Sequence, residues 1–121
     1  MEGRQDIFIN KEILLSLSKS VVDKMNALFS LRDVKEGEVV ETLMKAFQIE
    51  MEKEKEGMQP SDLLLHEICY AFGQIGTDPS LEPLCQKYLE EIMRNHPSPI
   101  VVHEATEAYA NLIGTLDKQL V

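Results

Sequence analysis

The dipeptide His-Glu occurs twice in the chain, at His66-Glu67 and His103-Glu104, and each time it opens the same helical phrase. Counting from either His, the fifth residue is Ala (Ala71, Ala108) and the sixth is aromatic (Phe72, Tyr109). The seventh is small (Gly73, Ala110) and the ninth is aliphatic (Ile75, Leu112). A degenerate third copy lies upstream. Aligning Ala27 with Ala71 and Ala108 puts Val22-Asp23 at the His-Glu position, followed by Leu28, Phe29 and Leu31. The registers at 22, 66 and 103 are 44 and 37 residues apart. A period near forty residues, with two helices in each unit, is that of HEAT and armadillo arrays. The first copy lacks metal-ligand side chains and reads as an end cap.

An amphipathic segment precedes each of the two His-Glu copies. Val39, Val40, Leu43, Met44 and Phe47 recur at helical spacing before the second copy. Leu81, Leu84, Cys85, Tyr88, Leu89, Ile92 and Met93 do so before the third. Asp78-Pro79 and Ser98-Pro99 read as an N-cap followed by proline in the first turn. Gly76 and Gly114 sit where a left-handed glycine would stop a helix. The first unit divides into helices from about Asn10 to Ser18 and from about Ser20 to Arg32. The expected fold is all-α, a HEAT-like α-α superhelix of about three helical hairpins, forming one domain over residues 1–121. The second helices of successive hairpins stack nearly parallel, with axes roughly 8–10 Å apart. That would set His66 beside His103 and Glu67 beside Glu104.

Charge narrows the partners. The formal charge is −9, from 21 acidic and 12 basic residues. Nucleic-acid binding depends on neutralising phosphates with Lys and Arg, so no nucleic-acid partner is expected. A basic partner or polyamine-like substrate suits the balance better, although acidity also serves solubility alone. No apolar run approaches the roughly 18 residues of a membrane span, and the N-terminus has no signal-peptide pattern. The expected setting is cytoplasmic, away from membranes. Cys69 and Cys85 lie among apolar neighbours and read as buried, reduced thiols. The alternating run from Glu50 to Glu56 reads as a solvated helix end.

One His-Glu pair on a helix is unremarkable, because Glu in an early turn complements the helix dipole. Two pairs in register supply two imidazoles and two carboxylates at one phase of neighbouring helices. Shared repeat ancestry alone would also preserve them. As a donor set they suit non-haem iron, which keeps open positions for dioxygen and substrate; zinc accepts similar ligands in a tetrahedral site. His96, before Pro97, is out of register and reads as a surface residue. There is no glycine-rich phosphate loop, no G-x-S-x-G elbow and no H-E-x-x-H motif.

These segments resemble deoxyhypusine hydroxylase, a HEAT-repeat di-iron monooxygenase family. The resemblance is carried by Leu64-Leu65-His66-Glu67 with Tyr70-Ala71-Phe72-Gly73-Gln74, and by Pro99-Ile100-Val101 with His103-Glu104-Ala105 and Glu107-Ala108. It extends upstream to Ala27–Arg32 and spans about residues 20 to 114. It implies that His66, His103 and Glu104 ligate one iron, while Glu67 stands behind the ligands or meets the amine of the substrate. The implied reaction uses O2 to hydroxylate the deoxyhypusine side chain of a translation initiation factor. The family enzyme has two such halves and four His-Glu pairs, whereas this chain has two pairs. The resemblance therefore implies half of a di-iron centre, completed by a homodimer or by a second half-length chain. The alternative reading is a non-catalytic HEAT-repeat scaffold that mediates protein–protein interaction.

Overall fold

Apolar residues at three- and four-residue spacing, punctuated by serine, proline and glycine, divide the chain into α1 (Glu2–Leu15), α2 (Val21–Leu31), α3 (Gly37–Lys55), α4 (Asp62–Ile75), α5 (Glu82–Asn95) and α6 (Pro99–Leu120). The computed structural model describes the backbone of residues 2–58, 60–96 and 98–120, and the side chains of 5–53, 56–58, 60–96 and 98–114. No strand occurs among the described residues. The helices pair in chain order as α1–α2, α3–α4 and α5–α6. Across the hairpins, α1, α3 and α5 form one layer and α2, α4 and α6 the other. That is the HEAT-like stack of three hairpins expected from the repeat. No helix among the described residues is long and apolar enough to cross a membrane.

Local chemistry fixes where the helices begin. Ser20 Oγ accepts from the Asp23 N–H at 3.1 Å, capping α2. Ser61 Oγ accepts from the Leu64 N–H at 3.2 Å, capping α4. Each bond satisfies one of the N–H groups that a helix start leaves without an intrahelical partner. Proline opens α6 at Pro99, as expected. The other punctuation differs. Asp78 Oδ1 accepts from the N–H and Oγ of Ser80, so Asp78-Pro79 closes a turn; α5 begins later, at Glu82, with Pro83 in its first turn. Gly76 ends α4 with right-handed φ −67°, and Gly114 lies inside α6. Among the described residues the left-handed one is Gly57, just after α3, at φ 79°. The first helix runs Glu2–Leu15, further upstream than expected. Ile7, Ile13 and Leu14 continue its buried stripe, while the Ser18 N–H turns to Ser16 Oγ and leaves Leu17 exposed.

The core is one apolar cluster shared by both layers. Leu28 and Leu31 of α2 and Leu43 and Phe47 of α3 meet Leu65, Ile68 and Phe72 of α4. Cys85 and Leu89 of α5 and Val101, Ala105 and Leu112 of α6 complete it. α4 and α6 approach closely. A Cβ on Gly73 would stand 3.0 Å from Ala108 Cβ and 3.3 Å from Ala108 Cα. The repeat-equivalent Ala110 is exposed, because among the described residues no further helix stacks on that face.

Glu50 departs from the solvated helix end expected of its charged run. It is fully buried, and its Oε1 accepts from the Ser61 N–H at 2.8 Å and pairs with Lys53 at 3.0 Å. Its Oε2 is buried with no hydrogen-bond partner. Lys24 of α2 is buried nearby; burial and then Lys53 lower its pKa, against the pull of Glu50. The carboxylate ties the end of α3 to the cap of α4, and so sets the depth at which His66 enters the stack.

Three substitutions test this packing. Gly73→Val should destabilise the fold by about 1–3 kcal/mol, because the added atoms meet Ala108 backbone. Gly114→Ala meets open space inside a helix and should stabilise it by roughly 0.5–1 kcal/mol. Glu50→Ala should cost about 2–3 kcal/mol through the lost charged hydrogen bonds. Urea unfolding midpoints at constant m read all three.

Candidate metal centre

His66 is the fifth residue of α4 and His103 the fifth of α6, so the two His-Glu pairs enter at equal depth in adjacent helices of one layer. The close Gly73–Ala108 contact brings those helices together side by side. Their side chains meet with a one-residue stagger. His66 Nε2 lies 3.0 Å from Glu104 Oε2, not opposite His103. Glu67 Oε1 stands 3.8 Å from His66 Nδ1, beyond hydrogen-bond reach. His103 turns along its own helix to Glu107, with Nε2 to Oε1 at 3.1 Å.

Burial separates the two histidines. The Glu104 side chain is only 11% exposed and His66 is 37% exposed, whereas His103 is 72% exposed. The reason is positional. His66 faces the next helix of its layer and finds a carboxylate there. His103 is on the last described helix, with no following helix to offer one, and it takes the i+4 carboxylate.

The donor set was tested against an ion on this geometry. Two ligands about 2.1 Å from one ion and at right angles to each other stand about 3.0 Å apart. The His66–Glu104 separation matches that, and it equally matches a charge-assisted hydrogen bond. His66 Nδ1 is buried with no hydrogen-bond partner. A ligating imidazole normally donates that N–H to a carboxylate, and Glu67 Oε1, 3.8 Å away, would have to close in to accept it. His66 and Glu104 thus fit as adjacent ligands, with Glu67 behind them. His103 stands apart, and among the described residues no three such groups gather as they would around an ion.

Two further residues depart from their sequence reading. Glu107, which holds His103, is legible in the sequence as an acid at i+4, and its Glu107-Ala108 match carries part of the resemblance without marking it as the partner of His103. His96 is part-buried rather than a plain surface residue. Its ring meets Phe47 edge-on at 5.6 Å, and its Nδ1 accepts from the Ser98 N–H at 3.0 Å. It sits at the hairpin turn before α6, remote in role from the His-Glu pairs.

Comparison with curated proteins places the chain among relatives of one kind. It is 37% identical over 90 residues to the deoxyhypusine hydroxylase of Eremothecium gossypii, covering 74% of this chain and 24% of the relative. It is 32% identical over 108 residues to that of Danio rerio, covering 89% and 31%. To that of Drosophila melanogaster it is 30% identical over 108 residues, with the same coverage of 89% and 31%. The chain is therefore related to the deoxyhypusine hydroxylases and spans about a quarter to a third of their length. No protein-family model matches the chain. No solved structure matches it either.

Cys69 and Cys85 are buried and free, as expected. Burial pushes both thiols up to about 12, and the Glu104 carboxylate adds to the effect at Cys69. The thiolate is the reactive form. In native protein at pH 8 both should resist a disulfide reagent, and both should react once the chain is unfolded in denaturant. Rapid labelling of Cys69 in the native state would contradict the packing of α4 against α6.

Proposed function

We propose that this chain supplies one iron-binding half of a deoxyhypusine hydroxylase-type monooxygenase, acting in the cytoplasm on the deoxyhypusine side chain of a translation initiation factor. The observation that carries the reading is the meeting of His66 Nε2 and Glu104 Oε2 across α4 and α6, in a chain whose relatives are deoxyhypusine hydroxylases. His66, Glu104 and His103 would hold the iron. Releasing His103 from Glu107 is cheap: an exposed pair of this kind is worth about 0–1 kcal/mol. A metal–ligand set is worth many times that, so iron binding outweighs the His103–Glu107 pair.

Iron held by these residues would supply open positions for dioxygen, and with two electrons from an external reductant and two protons one oxygen atom would enter a C–H bond and the other would leave as water. The protein's own residues do the placing. Glu67, part-buried beside His66, gives a carboxylate for the cationic amine of the side chain. The net charge of −9 favours the approach of a polyamine-like group to the chain as a whole. One chain offers one His-Glu layer pair, so the two-iron centre forms where a second copy, or another half-length chain, brings its own set.

A second reading is favoured by one observation: both histidines are already closed by carboxylates, His66 by Glu104 and His103 by Glu107. On that reading the chain is a HEAT-repeat scaffold for a partner protein, and these pairs are structural ties.

Metal analysis separates the two. Protein purified without chelators should carry about one iron per chain, and His103→Ala should lose most of it. Glu67→Ala should keep its iron yet lose turnover, which is measured as the gain of one oxygen atom on the deoxyhypusine-bearing factor in the presence of a reductant. Unchanged iron in His103→Ala ends the metal assignment. A clean iron-loaded dimer that leaves the substrate unmodified ends the catalytic one.

A further inference from the structure

In the layer opposite the His-Glu pairs, α3 and α5 touch far less than α4 and α6 do, and a groove opens between them. One hollow of about 250 Å³ is lined by buried Met44, Phe47 and Ile92 and half-buried Met51, with Glu52 and Glu91 beside them. A second, of about 340 Å³, is lined by Glu41, Met44, Lys45, Gln48 and Tyr88. Met44 and Gln48 belong to both, so the groove is continuous along α3 from Glu41 to Glu52, about three helical turns. The two hollows are centred one turn apart along α3, roughly 6 Å. Side chains at i and i+4 on one face of a helix have that same spacing.

The lining selects an occupant. Methionine is flexible and polarisable, and repacks around varied apolar groups. Around this floor stand three carboxylates and one ammonium group, Glu41, Glu52, Glu91 and Lys45. Burial, then Glu41 and Glu91, raise the pKa of the Tyr88 hydroxyl, so an acid from each helix bears on the same point of the groove. Among the described residues no Lys or Arg pairs with Glu41 or Glu91. An anionic lipid surface is repelled by such a rim, and a second copy of a chain with net charge −9 brings like charge. A neutral apolar molecule leaves the acids unanswered.

We propose that this groove docks a basic amphipathic α-helix of a partner protein, with apolar side chains at i and i+4 in the two hollows and Lys or Arg reaching Glu41 and Glu91. Laying an apolar helix face in a groove supplies the hold, and the rim charges set orientation and speed of approach. The groove is in the other layer from His66 and Glu104, so such a partner leaves the His-Glu face open. The inference rests on neither iron binding nor hydroxylation.

The test uses the full chain without metal, its methionine methyls labelled with carbon-13. The probe is a synthetic peptide of leucine and lysine with leucine at every third and fourth position. The expected result is saturable shifts of the Met44 and Met51 methyls, while Met25, on α2 in the opposite layer, does not move. Glu41→Gln with Glu91→Gln should weaken binding about tenfold, the combined loss of two rim ion pairs. Asp6→Asn with Glu12→Gln removes the same charge from exposed positions on α1 and should change affinity by less than about twofold. The same leucines and lysines in strict alternation present no apolar helix face, and should bind at least about tenfold more weakly. The proposal is overturned if Met44 and Met51 do not respond, if a leucine–glutamate peptide of the helical spacing binds as tightly, or if both double variants weaken binding alike. Equal binding of the alternating peptide overturns it too. Shifts of the same methyls on concentrating the protein alone would give the groove to a second copy, and shifts with phosphatidylcholine vesicles would give it to a membrane; either outcome also overturns it.

Discussion

Everything at the candidate site depends on how closely α4 and α6 approach at Gly73 and Ala108. A Cβ on Gly73 would come within 3.0 Å of its neighbour, so only glycine allows this spacing without a shift. That spacing lets the short reach of His66 meet Glu104 at 3.0 Å. Widening the helices by the width of a methyl group would break the pair. The rest of the stack serves this contact. Leu65, Ile68 and Phe72 anchor α4 in the shared core, Val101, Ala105 and Leu112 anchor α6, and buried Glu50 fixes where α4 begins.

The two histidines show how a repeat behaves at its end. Inside the stack, an imidazole finds its partner on the next helix. At the last described helix, the same residue has no such neighbour and folds back on Glu107. The difference lies in position and in the residue four places on, which is Tyr70 after His66 and Glu107 after His103. It explains why one pair is largely shielded and the other open.

Most of the fold was legible because helical periodicity repeats. Val39 to Phe47 and Leu81 to Met93 fall on buried or part-buried faces as their spacing indicates, and Ser20 caps its helix. The site was legible as far as equal depth: His66 and His103 do enter their helices at the same position. The one-residue stagger that matches His66 to Glu104 was not, because it depends on the rotation of each helix about its axis, which core packing sets. Glu50 was misread for a related reason. Its local run is charged throughout, and only the long-range meeting with Ser61 N–H shows that one of these acids is interior. Asp78 was misplaced because aspartate before proline serves a turn as well as a helix cap.

On the proposed function, this chain would hold half of a two-iron centre, built on His66 and Glu104 and completed by a second half. Mössbauer spectroscopy on iron-57-loaded protein, taken on the fraction that elutes as a dimer, tests it most directly. The expected result is a spin-coupled iron pair in the oxidised state, lost in Glu104→Ala. An isolated, uncoupled ion in that dimer, or iron bound equally well without Glu104, would contradict it.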